Sequence, residues 1–181
     1  MKQLYLIGVP MGVGKTSVSR RLAAMLERSV LLDGDWCWMT HPFTVTDETK
    51  AMVMDNITHL LGNFLRCSAI DHVVFCWVMH EQAILDELLS RLPMNGVSVT
   101  AVSLVCTPEA LAARIGADVS AGLRTPDVLP RSLARLPLYD ALRTVKLDTT
   151  CLTPEEAARA ILDLTFIQNR HAAGVIPSEM S

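Results

Sequence analysis

The nine residues Gly8-Val-Pro-Met-Gly-Val-Gly14-Lys15-Thr16 constrain the fold of this chain more than any others. They follow the apolar run Leu4-Tyr-Leu-Ile7 and precede a segment with helical spacing. Closely spaced glycines ahead of Lys-Thr, between a strand and a helix, are the pattern of a phosphate-binding P-loop. Glycine allows the tight turn that aims several backbone N–H groups at phosphate oxygens. The following helix adds the positive end of its dipole. Met11, Gly12, Val13, Gly14, Lys15, Thr16 and Ser17 are therefore the expected cradle. Lys15 would reach the β- and γ-phosphates, and Thr16 would hold Mg²⁺ through its hydroxyl. One position departs from the pattern. The first glycine of the motif falls on Val9, and Gly8 stands one residue early.

A strand–loop–helix start implies an α/β domain, and the remaining sequence keeps that alternation. Strand-like runs fall at Leu4–Gly8, Val30–Asp33, Val73–Met79, Val97–Cys106 and Val145–Asp148. Val73–Met79 is continuously apolar, as in a strand buried on both faces. Helical spacing covers Thr16–Glu27, Asp47–Arg66 and Gln82–Leu92. Thr107-Pro108-Glu109 opens a further helix with Thr as N-cap and Pro in the first turn. Thr153-Pro-Glu-Glu156 is a capping box for a last helix reaching about Phe166. Alternating elements give a parallel sheet covered on both faces, with right-handed crossovers. Ligands then sit beyond the carboxyl ends of the strands. No repeat or low-complexity linker divides the 181 residues, so a single domain over 1–168 is expected, with a loose tail at 169–181.

Half of the residues are hydrophobic and 19% are charged, which suits a compact core. The net charge of −3 argues against a general nucleic-acid binder, whose affinity rests on a basic surface. No apolar run approaches the length of a membrane-spanning helix, and no secretory signal precedes the first strand. Cys37, Cys67, Cys76, Cys106 and Cys151 form no C-x-x-C pair. Reduced, mostly buried thiols in a cytoplasmic protein, without a cysteine metal site, are expected.

A second signal narrows the chemistry. Leu31-Leu-Asp33-Gly-Asp35 sets two carboxylates at the carboxyl end of a strand. One can hold Mg²⁺ through water, and the other can take a proton from an attacking hydroxyl. A solvated acidic turn is the plainer alternative. With the P-loop on the same rim, the site reading is preferred.

Here the chain resembles a family. Its layout is similar to that of small P-loop kinases of metabolites: shikimate kinase, gluconate kinase, adenylylsulfate kinase and chloramphenicol phosphotransferase. Asp33-Gly34-Asp35 resembles their acidic motif after the second strand. Arg135-Leu-Pro-Leu-Tyr139, Val145-Lys-Leu-Asp-Thr149 and Thr153-Pro-Glu-Glu-Ala-Ala158 resemble the tail of shikimate kinase, and the likeness spans about residues 3–165. It implies a three-layer α/β/α sandwich with a five-stranded parallel sheet in the order 2-3-1-4-5. It also implies a small helical lid near 112–132 that closes over ATP.

The resemblance implies roles by position. Asp33 would organise Mg²⁺ and Asp35 would be the base beside the acceptor hydroxyl. Arg114 would pack on adenine, with Pro154 lining the other side of the slot. Arg124 would come from the lid to the transferring phosphate. Arg135 matches the arginine that holds the shikimate carboxylate, a task suited to a planar charged fork. Two departures stand against shikimate itself. The helix Asp47–Arg66 has no arginine before Arg66, and the third strand ends in Trp77-Val-Met-His80 where shikimate kinase carries three glycines.

On the acceptor side the expected substrate contacts are Asp35, Trp36, Trp38, Trp77, His80 and Arg135. An aromatic cleft of this kind suits a ring-bearing or sugar-like acceptor better than a small anion. Trp77, in an apolar strand, equally suits the core, and Trp36 and Trp38 remain open to either role. His59 and His72 are expected at the surface, and Arg131 is read as a solvated charge. The expected activity is an ATP- and Mg²⁺-dependent kinase of a small hydroxyl acceptor, a monomer or homodimer, with Lys15, Asp35 and Arg124 catalytic. A nucleotide-binding switch without an acceptor is the alternative. It lacks the expected D-x-x-G and N-K-x-D motifs. A polynucleotide kinase would need a basic acceptor groove, yet residues 33–49 contain no Lys or Arg.

Overall fold

A computed structural model describes residues 1–172. Five strands, β1 (Lys2–Gly8), β2 (Ser29–Asp33), β3 (His72–Trp77), β4 (Val97–Val105) and β5 (Val145–Asp148), form one parallel sheet in the order β2-β3-β1-β4-β5. Six helices alternate with them: α1 (Lys15–Met25), α2 (Asp47–Arg66), α3 (Gln82–Ser90), α4 (Pro108–Ser120), α5 (Val128–Arg135) and α6 (Pro154–Ala172). Single 3₁₀ turns cover Gly34–Trp38 and Leu136–Tyr139.

Each sheet face buries alternate residues, which makes three layers. Tyr5, Ile7, Val74, Val102 and Leu104 pack with Val18 and Leu22 of α1, Leu111 and Ile115 of α4, and Ile161 of α6. Leu4, Leu6, Val73 and Phe75 pack with Val53, Ile57 and Leu61 of α2 and with Leu85 and Leu88 of α3. Burial on both faces explains why β1 and β3 read as apolar runs rather than alternating ones.

The helix starts follow local chemistry. Thr46 caps α2 by accepting from Thr49 N, and Thr49 Oγ1 accepts from Thr46 N at 2.8 Å. Thr107 caps α4, with Pro108 in its first turn. Glu156 Oε2 accepts from Thr153 N at 2.8 Å, completing the capping box of α6. The last helix runs to Ala172, past the expected end near Phe166. Residues 173–181 lie outside the described residues. The thiols also differ from expectation. Cys76 and Cys106 are buried, but Cys37 is half-buried and Cys67 and Cys151 are exposed, all of them free. Among the described residues no helix is long and apolar enough to cross a membrane.

Candidate active site

The loop after β1 is shaped by two glycines in the left-handed region, Gly12 at φ 90° and Gly14 at φ 97°. A Cβ on Gly12 would lie 2.5 Å from Ile115 Cγ1, so only glycine lets the loop pass this close to α4. Gly14 has nothing within 4 Å of such a Cβ, so the loop is open at the point where α1 begins. Val9, the departure from the usual pattern, is fully buried in the core beside Val13. It is not among the residues lining the cavity.

The two acids converge on this loop. Asp33, at the end of β2, is 2% exposed and accepts from Thr16 Oγ1 at 2.7 Å. Its other oxygen lies 3.2 Å from Lys15 Nζ and accepts from Asp35 N at 3.1 Å. Asp35 is exposed and pairs directly with Lys15 Nζ. The spacing D-x-D thus gives one buried and one accessible carboxylate around a single ammonium. Trp77 fixes the turn between them, because its ring fills the place of any side chain on Gly34, at 2.5 Å from the Cβ such a residue would have. Cys76, next to Asp33 in the sheet register, stays a thiol. Burial, with the neighbouring Asp33 charge, pushes its pKa up to about 12.

A cavity of about 450 Å³ opens over the loop. Residues 11–18 and Asp35 form its floor, while α4 and Thr149, Leu152, Thr153 and Pro154 form its walls. Arg114 lines it and is held as a rigid strut. It donates to Thr149 Oγ1 at 3.3 Å, Thr150 O at 3.3 Å and Val13 O at 3.4 Å, tying α4 to the β5–α6 connection and to the loop. Arg124 also lines the cavity, with its Nε donating to Asp118 Oδ2 at 2.7 Å. Thr149, Ala117 and Asp118 are lining residues that the sequence did not single out. Asp118 carried a signal, standing three turns along α4 from the cap and facing Arg124 across a Gly-containing turn.

The acceptor-side residues do not form one wall. Trp77 covers Gly34, and Trp38 packs against Phe43 with the rings tilted by 47° and their centroids 5.2 Å apart. Trp36 lies in a separate groove with Leu32, Cys37, Asn56, His59 and Leu60. None of the three tryptophans lines the cavity. Burial, joined by the Arg135 charge, lowers the His80 pKa. His59 is exposed, and His72 Nδ1 lies 2.9 Å from Glu27 O. Arg131 pairs with Asp127 one turn back at the surface.

The residues fit Mg²⁺ bound with a polyphosphate. The Thr16 hydroxyl and Asp33 carboxylate are hard oxygen donors in contact, and such an ion draws its other ligands from phosphate and water. Among the described residues no cluster of three or more His, Cys, Asp or Glu side chains would hold a metal by itself.

The profile of a family described as an AAA domain matches residues 6–121. The chain belongs to that family. This AAA-domain protein is similar in fold to a gluconokinase from Sinorhizobium meliloti 1021, at 20% identity over 94% of this chain and 97% of that one, with a TM-score of 0.69. The Deinococcus radiodurans tunicamycin resistance protein matches at 19% identity over 91% and 96%, with a TM-score of 0.66. Shikimate kinase from Acinetobacter baumannii matches at 23% identity over 93% and 94%, with a TM-score of 0.60. These identities establish a shared fold, and the strand order of the AAA-domain protein agrees with the expectation for small P-loop kinases. No curated protein sequence matches the chain.

Proposed function

We propose that this AAA-domain protein is an ATP-dependent kinase that passes the γ-phosphoryl group to a hydroxyl of a small molecule. The observation that carries the reading is the convergence of Lys15, Thr16, Asp33 and Asp35 on the floor of one cavity. An exposed carboxylate beside the phosphate lysine suits a kinase, where it can serve as base to the acceptor hydroxyl, better than a nucleotide switch.

The chain's own groups divide the work. Backbone N–H groups of residues 12–16 and the start of α1 receive the phosphate charge. Lys15, now shared by two carboxylates, turns to the phosphates when they arrive. Asp33 and Thr16 would hold Mg²⁺, whose charge would offset that of the phosphates. Arg114 offers its guanidinium face, and Pro154 its ring, to the adenine. Arg124 leaves Asp118 to meet the transferring group. Asp35 accepts the proton of the attacking hydroxyl. Closure of the segment 112–132 excludes water, so that phosphate goes to the acceptor. Positioning and electrostatics supply most of the acceleration.

The test is ADP release from Mg-ATP over a panel of hydroxyl compounds, with ³¹P spectra of the products. Acceptor-stimulated release that is lost in Asp35→Asn, with nucleotide binding kept, is the expected outcome. Slow hydrolysis indifferent to every acceptor and to Asp35→Asn would remove the kinase reading in favour of a switch.

A further inference from the structure

The connection between α4 and α5 is anchored to the rim of the cavity by an ion pair. Gly122 takes φ 71°, and α4 ends in a main-chain turn around it. Gly122 N donates to Val119 O at 3.0 Å, and Leu123 N donates to Asp118 O at 2.9 Å. These two bonds reverse the chain and bring residue 124 back beside the last turn of α4. The apolar contact that often accompanies such a turn is missing, because Leu123 is 74% exposed. From Ser120 to Asp127 every residue is exposed except Arg124, whose Nε donates to Asp118 Oδ2. The other side-chain hydrogen bonds of this stretch, from Ser120 to Gly116, from Thr125 to Asp127 and from Arg131 to Asp127, stay within one helical turn of chain.

The anchor lies where a ligand can reach it. Asp118 and Arg124 both line the cavity, each with about a third of its side chain exposed. Nε is the only group of Arg124 with a hydrogen-bond partner among the described residues, which leaves its terminal amino groups uncommitted. Asp118 gains nothing from its own helix. It stands in the last turn of α4, where the negative end of the dipole disfavours a carboxylate. Lys15 and Arg124 are thus each engaged by a carboxylate of the cavity, while Arg114 is fixed mainly by carbonyl oxygens.

A terminal phosphate offers Arg124 more than Asp118 does. It carries up to two charges on three oxygens, whereas the carboxylate takes a single N–H of the guanidinium. Of a bound nucleotide, the β-phosphate falls to the N–H groups of the loop and to Lys15. The γ-phosphate stands beyond them, where an arginine from this connection can meet it.

We propose that Asp118 is a positioning residue: it holds Arg124 clear of the phosphates until a γ-phosphate displaces it, so that the stretch 120–127 closes on a triphosphate and stays latched beside a diphosphate. The proposal rests on the kinase reading for the use of the cavity, and its test needs no phosphoryl acceptor. The full chain is titrated with Mg-ADP and with the non-hydrolysable Mg-AMPPNP, as parent, Asp118→Asn, Arg124→Gln and the double variant. Asparagine keeps the shape of Asp118 and the main-chain bond from Leu123, and Mg-ADP binding checks that each variant is folded.

Asp118→Asn binds Mg-AMPPNP about three- to tenfold more tightly, because a partly exposed charged hydrogen bond no longer has to break, and its Mg-ADP affinity stays within about twofold of the parent. In the Arg124→Gln background the same substitution moves neither affinity by more than about twofold. Trypsin, which cuts after arginine, reads the stretch itself: in the parent, Mg-AMPPNP slows cleavage after Arg124 and Mg-ADP does not. Equal gains for both nucleotides, or a gain that persists without Arg124, mean that Asp118 acts through its charge alone and overturn the proposal. Weaker Mg-AMPPNP binding in Asp118→Asn, or cleavage slowed alike by both nucleotides, overturns it too. A latch that passes these tests while no hydroxyl compound receives phosphate stands, and counts against the kinase reading. Phosphoryl transfer with no such difference between the two nucleotides does the reverse.

Discussion

At the scale of single residues, the loop shows how a departure from a motif is absorbed. Val9 replaces a glycine yet sits wholly in the core, away from the cavity. Val9→Gly should therefore cost stability and spare binding. We expect a loss of about 2–4 kcal/mol in urea unfolding, from the cavity left behind and the added chain freedom, with Mg-ATP affinity unchanged. Lys15 carries the other residue-scale consequence. It is now held by Asp35 and Asp33, so phosphates must compete for it. Asp35→Asn removes one competitor and one negative charge from the cavity floor. Calorimetry should find Mg-ATP bound at least as tightly as by the parent, while phosphoryl transfer disappears. Weaker binding in that variant would mean that Asp35 supports the nucleotide rather than the acceptor.

At the scale of elements, the loop and α4 are built against each other, with Gly12 lying under Ile115. Gly12→Ala forces a left-handed backbone and an overlap, for about 2–4 kcal/mol together. Combined with Ile115→Ala, the double variant should cost less than the sum of the two singles, because the second change removes the overlap but not the strained backbone. Additive losses in chemical denaturation would contradict that contact. Local patterns showed most of this architecture in advance. Unbroken apolar runs marked β1 and β3, the Lys-Thr after glycines marked the start of α1, and Thr107 and Thr153 marked two helix starts. Helix α5 was harder to see, since Pro126 and Pro130 read as loop signals. Pro130 falls in the first turn of α5, where its missing N–H has no intrahelical partner to lose. The 3₁₀ turn at Gly34–Trp38 was also hidden, because the Trp77 ring that shapes it comes from another strand. The same tertiary packing separates three tryptophans that sequence alone groups on one wall.

At the scale of the whole molecule, one topological fact assembles the site. A parallel sheet in the order β2-β3-β1-β4-β5 brings the ends of β1, β2 and β3 to one rim. The phosphate loop, the acid pair and His80 meet there although 72 residues of chain separate Gly8 from His80. The cavity wall beyond β5 is secured to the same rim through Arg114. The central claim is that this rim grips the polyphosphate of a magnesium nucleotide. Isothermal titration of the full chain with Mg-ATP, beside Lys15→Ala and a magnesium-free control, tests it most directly. The account predicts one nucleotide per chain, with binding that weakens sharply in Lys15→Ala and without the metal. No measurable heat with the parent protein, or binding indifferent to both Lys15 and magnesium, would contradict it.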